Sequence, residues 1–235
     1  MFSKSAALYD AIYSWKDYPG EALKLERLIE QHKQSPGRAL LDVACGTGAH
    51  IPYLRQQFTV EGLDLDDALL DVARERNPGV PFHHADMVEF DLGRQFDIIT
   101  CLFSAIGYVK TLPRLNQAIA SMSKHLSAGG VLLLEPWLMP DVYEEGHPHA
   151  IFVDKPDIKI VRMNVSELED NVSVLNFHYL VATPKGVEYF TERHELGLFS
   201  HDDYMAALDT SGLQAIFDSE GLMGRGLYIG RKPQS

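Results

Sequence analysis

The sequence predicts an α/β fold: a mostly parallel sheet covered by helices on both faces, carrying an inserted antiparallel meander. Three observations lead there. Short apolar runs alternate with helical stretches from residue 19 to residue 136, the order that builds parallel sheets. The first of these runs, Ala39-Leu40-Leu41-Asp42-Val43-Ala44-Cys45, ends in Gly46-Thr47-Gly48. After Pro136 the pattern changes, and residues 150–198 alternate in strand fashion.

Each element has its own signal. Residues 5–13 read as a short helix with aromatic residues. Residues 19–34 open with Pro19 and place Leu23, Leu28 and Ile29 at helical spacing, and Pro36-Gly37 ends them. After the glycine loop, residues 49–57 are expected to be helical. Val60 to Leu65 forms a second strand that ends on an acid. Residues 66–76 form a helix opened by acids and closed by arginine, as the macrodipole favours. Residues 82–86 and 96–103 are the third and fourth strands. A helix over 112–126 stops at Gly129-Gly130, and Val131 to Glu135 is the fifth strand. A helix at 201–211 and strands near 213–218 and 226–231 complete the chain. The expectation is one domain over 1–235, with the antiparallel part, 137–199, forming part of an acceptor site.

Composition narrows the function classes. The chain has 235 residues, with 21 basic and 33 acidic side chains, a net charge of −12. Such a body argues against nucleic acid or an anionic membrane as main partner. Two cysteines are too few for a disulfide framework, no leader is visible, and no apolar run suits a membrane span. A cytoplasmic location is the expectation. His147-Pro148-His149 lacks further ligands at metal spacing, so no metal is expected.

The chemistry concentrates at strand ends. Gly46 and Gly48 follow the first strand, where small residues let a ligand approach the backbone. Rossmann-like sheets bind nucleotides there. The third glycine of the dinucleotide motif is replaced by Ile51, which counts against a nicotinamide enzyme. Asp64 ends the second strand and is placed to accept from ribose hydroxyls. Asp86 ends the third and is placed to accept from an adenine amino group. A tight turn with solvated acids is the bland alternative for each feature alone. Cys45 is expected to pack rather than react.

A hairpin over 174–196 is also legible. Pro184-Lys185-Gly186 suits a three-residue loop, which puts Thr183 opposite Val187. One face then carries Asn176, His178, Glu192 and His194 beside Leu180, Phe190 and Leu196. That face is either a pocket wall or a solvated polar network.

The segments DVACGTG (42–48), GLDL (62–65), HADM (84–87) and FDIITCLFSAIGY (96–108) resemble class I methyltransferases that use S-adenosylmethionine (SAM). Across the chain, Leu8-Tyr9-Asp10 with Tyr13, Lys16-Asp17-Tyr18, FSAIGY, Glu135-Pro136-Trp137, FHYLV (177–181) and MGRGLYIG (223–230) resemble the N,N-dimethyltransferases of dTDP-3-amino-3,6-dideoxyhexoses. The resemblance implies a SAM methyltransferase sheet, SAM as cofactor, and contacts from Tyr18, Ala44, Asp64, Asp86, Met87 and Leu102. Asp42, Gly46 and Leu65 sit on the same strand ends and join that set. Tyr13 and Tyr108 are implied to face a sugar amine, and Arg225, between two glycines, to hold a phosphate. His178 is a further candidate for proton handling, with Asn176 and His194 as substrate contacts. The stretch Tyr13-Ser14-Trp15-Lys16 is shorter than the glycine-containing version of the sugar enzymes, and some members carry His where Tyr108 stands.

The expected reaction is in-line methyl transfer to an amine nitrogen of a small molecule, such as a nucleotide-linked aminosugar. The alternatives are O- or C-methylation of another small metabolite and a non-catalytic SAM-binding module. The oligomeric state is open, with a homodimer among the options.

Overall fold

The computed structural model describes residues 5–234. The first four residues, which belong to the stretch read above as leaderless, lie outside the described residues.

The chain begins with a short 3-10 turn and one turn of helix, α1 (Tyr9–Ile12). Helix α2 (Tyr18–His32) starts where the Asp17 carboxylate accepts from Gly20 N–H and Pro19 sits in its first turn. It buries Ala22, Leu25 and Ile29. Strand β1 (Ala39–Val43) follows, then a single helical turn, α3 (Ile51–Leu54), in place of the longer helix expected over 49–57. Next come β2 (Thr59–Asp64), α4 (Asp67–Arg76), β3 (Phe82–His84), β4 (Phe96–Cys101), a 3-10 turn (Ala105–Val109), α5 (Leu112–Lys124) and β5 (Leu126–Leu134). Strand β5 starts earlier than expected. Gly129-Gly130 lies inside it, where β4 and β5 shift register between Phe96 and Ile98, so the glycines do not stop the helix.

Four antiparallel strands then form a sheet of their own: β6 (Pro148–Lys155), β7 (Ile158–Glu169), β8 (Val172–Thr183) and β9 (Gly186–Gly197). Helix α6 (His201–Thr210), held by a capping box between Ser200 and Asp203, returns the chain to the main sheet. There β10 (Gln214–Asp218) and β11 (Leu227–Arg231) close it.

The main sheet has the order β10-β11-β5-β4-β1-β2-β3. Strands β1 to β5 are parallel, while β11 runs antiparallel to both its neighbours. The order reverses between β1 and β4, and ligands bind at such a switch point, beyond the carboxyl ends of the strands. One face is covered by α5 and α6, the other by α2 and α3. The cap sheet packs its inner face, with Ile160, Leu175, Phe177, Tyr179 and Leu196, against Ile12 of α1.

The hairpin register corrects one expectation. Thr183 pairs with Gly186, so only Pro184 and Lys185 form the loop, and Gly186 (φ +137°) already belongs to the ladder. A slip of one residue moves every side chain of one strand to the other face. Even-numbered β9 residues therefore share a face with odd-numbered β8 residues. Asn176 and His178 lie on the outer face, away from His194.

Candidate active site

A cavity of about 560 Å³ lies between the carboxyl edge of the main sheet, the N-terminal segment and the cap. A smaller one adjoins it beneath Tyr18 and the glycine loop.

The floor is made by strand ends in an unusual backbone conformation. Ala44 (φ +55°) follows β1, and Phe103 (φ +54°) and Ser104 (φ +61°) follow β4. Left-handed conformations at non-glycine residues cost on the order of 1–2 kcal/mol each, and here they lie on the two strands flanking the switch point. Hydrogen bonds hold them. Phe103 N–H donates to Glu135 Oε2 at 2.6 Å, and Ser104 Oγ donates to the Pro136 carbonyl at 2.7 Å. Gly46 (φ +55°) continues the turn after Ala44, a conformation glycine adopts without strain.

Asp64 is buried at the end of β2. Its carboxylate accepts from Gly46 N–H at 2.7 Å and from Asp66 N–H at 2.9 Å, which fixes its orientation. Each oxygen retains a further lone pair for a ligand hydroxyl. Burial pushes its pKa up against these hydrogen bonds. Asp86 is more exposed, accepts from Val88 N–H at 2.9 Å and pairs with Arg114 at 3.0 Å. Asp42, inside the sheet, accepts from Thr100 Oγ at 2.7 Å, and burial pushes its pKa up to about 6.

Beneath the small cavity, Glu21 accepts from Lys16 Nζ and lies 2.7 Å from His50 Nε2. Glu135 lies at the end of β5 with 0% of its surface exposed, and its Oε1 has no hydrogen-bond partner within the described residues. An unpaired buried carboxylate oxygen is costly unless a ligand donor meets it.

The opposite wall belongs to the N-terminal segment and the cap. Tyr13 packs edge-on against Phe103, ring centres 5.0 Å apart. Arg162 Nη1 donates to the Tyr13 hydroxyl at 2.9 Å. Tyr108 Oη lies 2.8 Å from His194 Nδ1, and burial lowers the His194 pKa below the ordinary imidazole value. Arg225 Nη1 donates to Ser104 Oγ at 2.8 Å, with its guanidinium 4.9 Å from the centre of the Trp137 ring. Gly107 of the 3-10 turn sits where a Cβ would come within 3.1 Å of Leu196 and Trp137, so the turn and cap meet closely only with glycine there.

The expected residues divide as follows. Ala44, Gly46, Asp64, Leu65, Asp86, Met87 and Leu102 line the large cavity, and Asp42 and Tyr18 the adjoining one. Tyr13, Tyr108, His194 and Arg225 line the large cavity from the other side. His178 and Asn176 do not line it. His178 Nδ1 lies 2.7 Å from the Tyr189 hydroxyl, and Asn176 donates to Glu167 at 2.9 Å, both on the outer face. Sequence reasoning missed Tyr9, Phe103, Trp137, Arg162, Phe177 and Tyr179. A two-residue loop at Pro184-Lys185 would have revealed the last two.

The arrangement suits a nucleoside: an oriented carboxylate, a glycine turn, and an apolar slot at Leu65 and Met87. A methyltransferase domain model matches residues 40–130. The chain is 40% identical, over 96% of its length and 91% of the relative's, to a dTDP-4-amino-2,3,4,6-tetradeoxy-D-glucose N,N-dimethyltransferase of Saccharopolyspora spinosa. It is 40% identical, over 96% and 89%, to a dTDP-3-amino-3,6-dideoxy-alpha-D-glucopyranose N,N-dimethyltransferase of Streptomyces fradiae. Its fold superposes on the crystal structure of Streptomyces venezuelae DesVI with a TM-score of 0.91 at 37% identity, covering 97% and 98% of the two chains. The SAM-bound amino pentose methyltransferase CalS10 of Micromonospora echinaspora gives 0.86 at 35% identity, covering 96% and 95%. The cofactor is SAM, and the chain is an enzyme of the SAM-dependent methyltransferases, belonging to the family that contains the dTDP-aminosugar N,N-dimethyltransferases.

Proposed function

We propose that the protein methylates the amine nitrogen of a dTDP-linked amino-deoxysugar. The observation that carries this reading is the two-ended cavity. One end has the carboxylates of Asp64 and Asp86; the other has Tyr13, Tyr108, Arg162 and Arg225. A nucleoside cofactor fits the first end. An acceptor with an amine and a diphosphate fits the second, where Arg225 supplies a planar donor fork for phosphate. The two N,N-dimethyltransferases of Saccharopolyspora spinosa and Streptomyces fradiae are named for sugars of this class.

When bound, SAM supplies a methyl group already activated on a sulfonium. The residues of this chain hold the reactants in line. Orientation of this kind is worth about 7–11 kcal/mol of barrier. Asp64 would hold the ribose hydroxyls, Lys16 would lie near the charged tail, and Phe103 with Tyr13 would border the methyl group. Tyr108 and Tyr13 offer hydroxyls that orient the amine. The pocket is apolar around them, with Leu175, Phe177 and Leu196 excluding water.

The test is incubation with SAM and dTDP-3-amino-3,6-dideoxyglucose or its 4-amino counterpart, followed by mass spectrometry. Gain of one and then two methyl groups on nitrogen is expected. Turnover of a phosphate-free acceptor with none of either nucleotide sugar would overturn the reading.

A further inference from the structure

Arg162 is a half-buried guanidinium on β7 that lines the acceptor end of the cavity. Its Nη1 donates to the Tyr13 hydroxyl at 2.9 Å, and its Cζ lies 4.3 Å from the centre of the Phe177 ring and 5.4 Å from that of Tyr13. Among the described residues no carboxylate pairs with it. The titratable groups facing it are Tyr13 from the N-terminal segment, Tyr108 from the 3-10 turn, His149 from β6, Tyr179 from β8 and His194 from β9. The neighbouring carboxylate of β9, Glu192, accepts from the backbone N–H and hydroxyl of Ser5. Asp64 and Arg225 line the same cavity. Burial opposes the Arg162 charge, but the Tyr13 and Tyr179 hydroxyls more than offset it, and guanidinium stays protonated at any working pH.

A fixed cation with no carboxylate partner among the described residues, placed at the wall that receives an amine, acts on that amine. We propose that Arg162 keeps the acceptor nitrogen in its neutral, nucleophilic form, so that no side chain has to serve as base. The proposal rests on the amine acceptor of the preceding section. An ammonium ion bound beside Tyr13 is repelled. Its N–H bond breaks, the electron pair stays on nitrogen, and the proton leaves to water. Two unit charges about 6 Å apart at a protein-like dielectric shift a pKa by about one to two units. The same repulsion clears the proton from a monomethylated amine before a second round.

The effect has a cost that makes it recognisable. Methyl transfer places positive charge on nitrogen, which Arg162 also opposes. At the transition state only part of that charge has arrived, so the loss in rate is smaller than the gain in neutral amine. Arg162 therefore helps below the pKa of the amine and hinders above it.

The experiment compares wild type with Arg162→Gln and Arg162→Lys, using dTDP-3-amino-3,6-dideoxyglucose. The first readout is calorimetry of its binding at pH 8 in the presence of S-adenosylhomocysteine, in buffers of different ionisation enthalpy. Wild type and Arg162→Lys are expected to release more protons per sugar bound than Arg162→Gln. The second is kcat against pH. Its rising limb should move up by about one unit in Arg162→Gln and stay near wild type in Arg162→Lys, with the Gln profile meeting or crossing the wild-type one at high pH. Arg162→Met supplies the same comparison if the Gln variant does not fold. Equal proton release, with kcat lowered by one factor at every pH, means a packing role and overturns the proposal. A tenfold rise in KM with an unmoved kcat limb means a phosphate contact and also overturns it. A wild type that methylates no amine overturns the preceding reading instead, and this one with it.

Discussion

Asp64 and His194 line one cavity but arrive there by different rules. Asp64 is at the edge because β2 ends there, and every parallel strand of the sheet ends on that edge. Moving a strand boundary by a residue leaves the acid close to its place. His194 is in the cavity because even-numbered residues of β9 face inward, and its partners on β8 are the odd-numbered ones. Moving that register by a residue exchanges Phe177 and Tyr179 for His178 and Leu180. The strand edge tolerates error in reading; the cap does not. The edge supplies Asp64 and Asp86 to the cavity, and the cap supplies Arg162, Phe177, Tyr179 and His194.

Substitutions break this comparison at different depths. The largest effect is expected at the edge. Asp64→Ala should weaken SAM and S-adenosylhomocysteine by about 1.5–3 kcal/mol, the worth of hydrogen bonds to a charged group. Asp64→Asn retains part of the contact to Gly46 and Asp66 and should lose less. Calorimetry that finds SAM affinity unchanged in Asp64→Ala would falsify the ribose role.

Arg225→Ala comes next and tests the proposed acceptor end. The KM for a nucleotide sugar should rise about tenfold while SAM affinity holds, the signature of lost uniform binding. A fall in SAM affinity instead would show that the Ser104–Arg225 bond supports the β4 turn rather than a phosphate.

Asp86→Ala should cost about 1 kcal/mol of SAM affinity, less than Asp64, because Asp86 is more exposed and already pairs with Arg114. Equal losses at the two acids would contradict that ranking.

The smallest effect sharpens the register. His178→Ala and Asn176→Ala should each leave kcat and KM within about twofold of wild type, since both side chains sit on the outer face. A large loss of turnover in His178→Ala, with folding intact, would mean that the outer face reaches a substrate, for instance across an assembly.

Much of the molecule is legible in its sequence. The order of strands and helices, the glycine turn after β1 and the acids after β2 and β3 follow from local pattern, because apolar periodicity and turn chemistry are properties of neighbours in sequence. Even the antiparallel character of the cap, with its change of hydrophobic period, is legible this way, though its division into four strands is not. The tertiary structure alone decided which face of β8 looks inward, because one residue of loop length sets it. It brought Arg162 to Tyr13 across 149 positions of chain and Glu135 to Phe103 across 32. It also set the left-handed backbone at Ala44, Phe103 and Ser104. None of these has a local signature. An arginine in a strand reads as solvated until the fold withdraws its counter-charges, and an alanine with positive φ reads as an ordinary alanine until the surrounding hydrogen bonds hold it there.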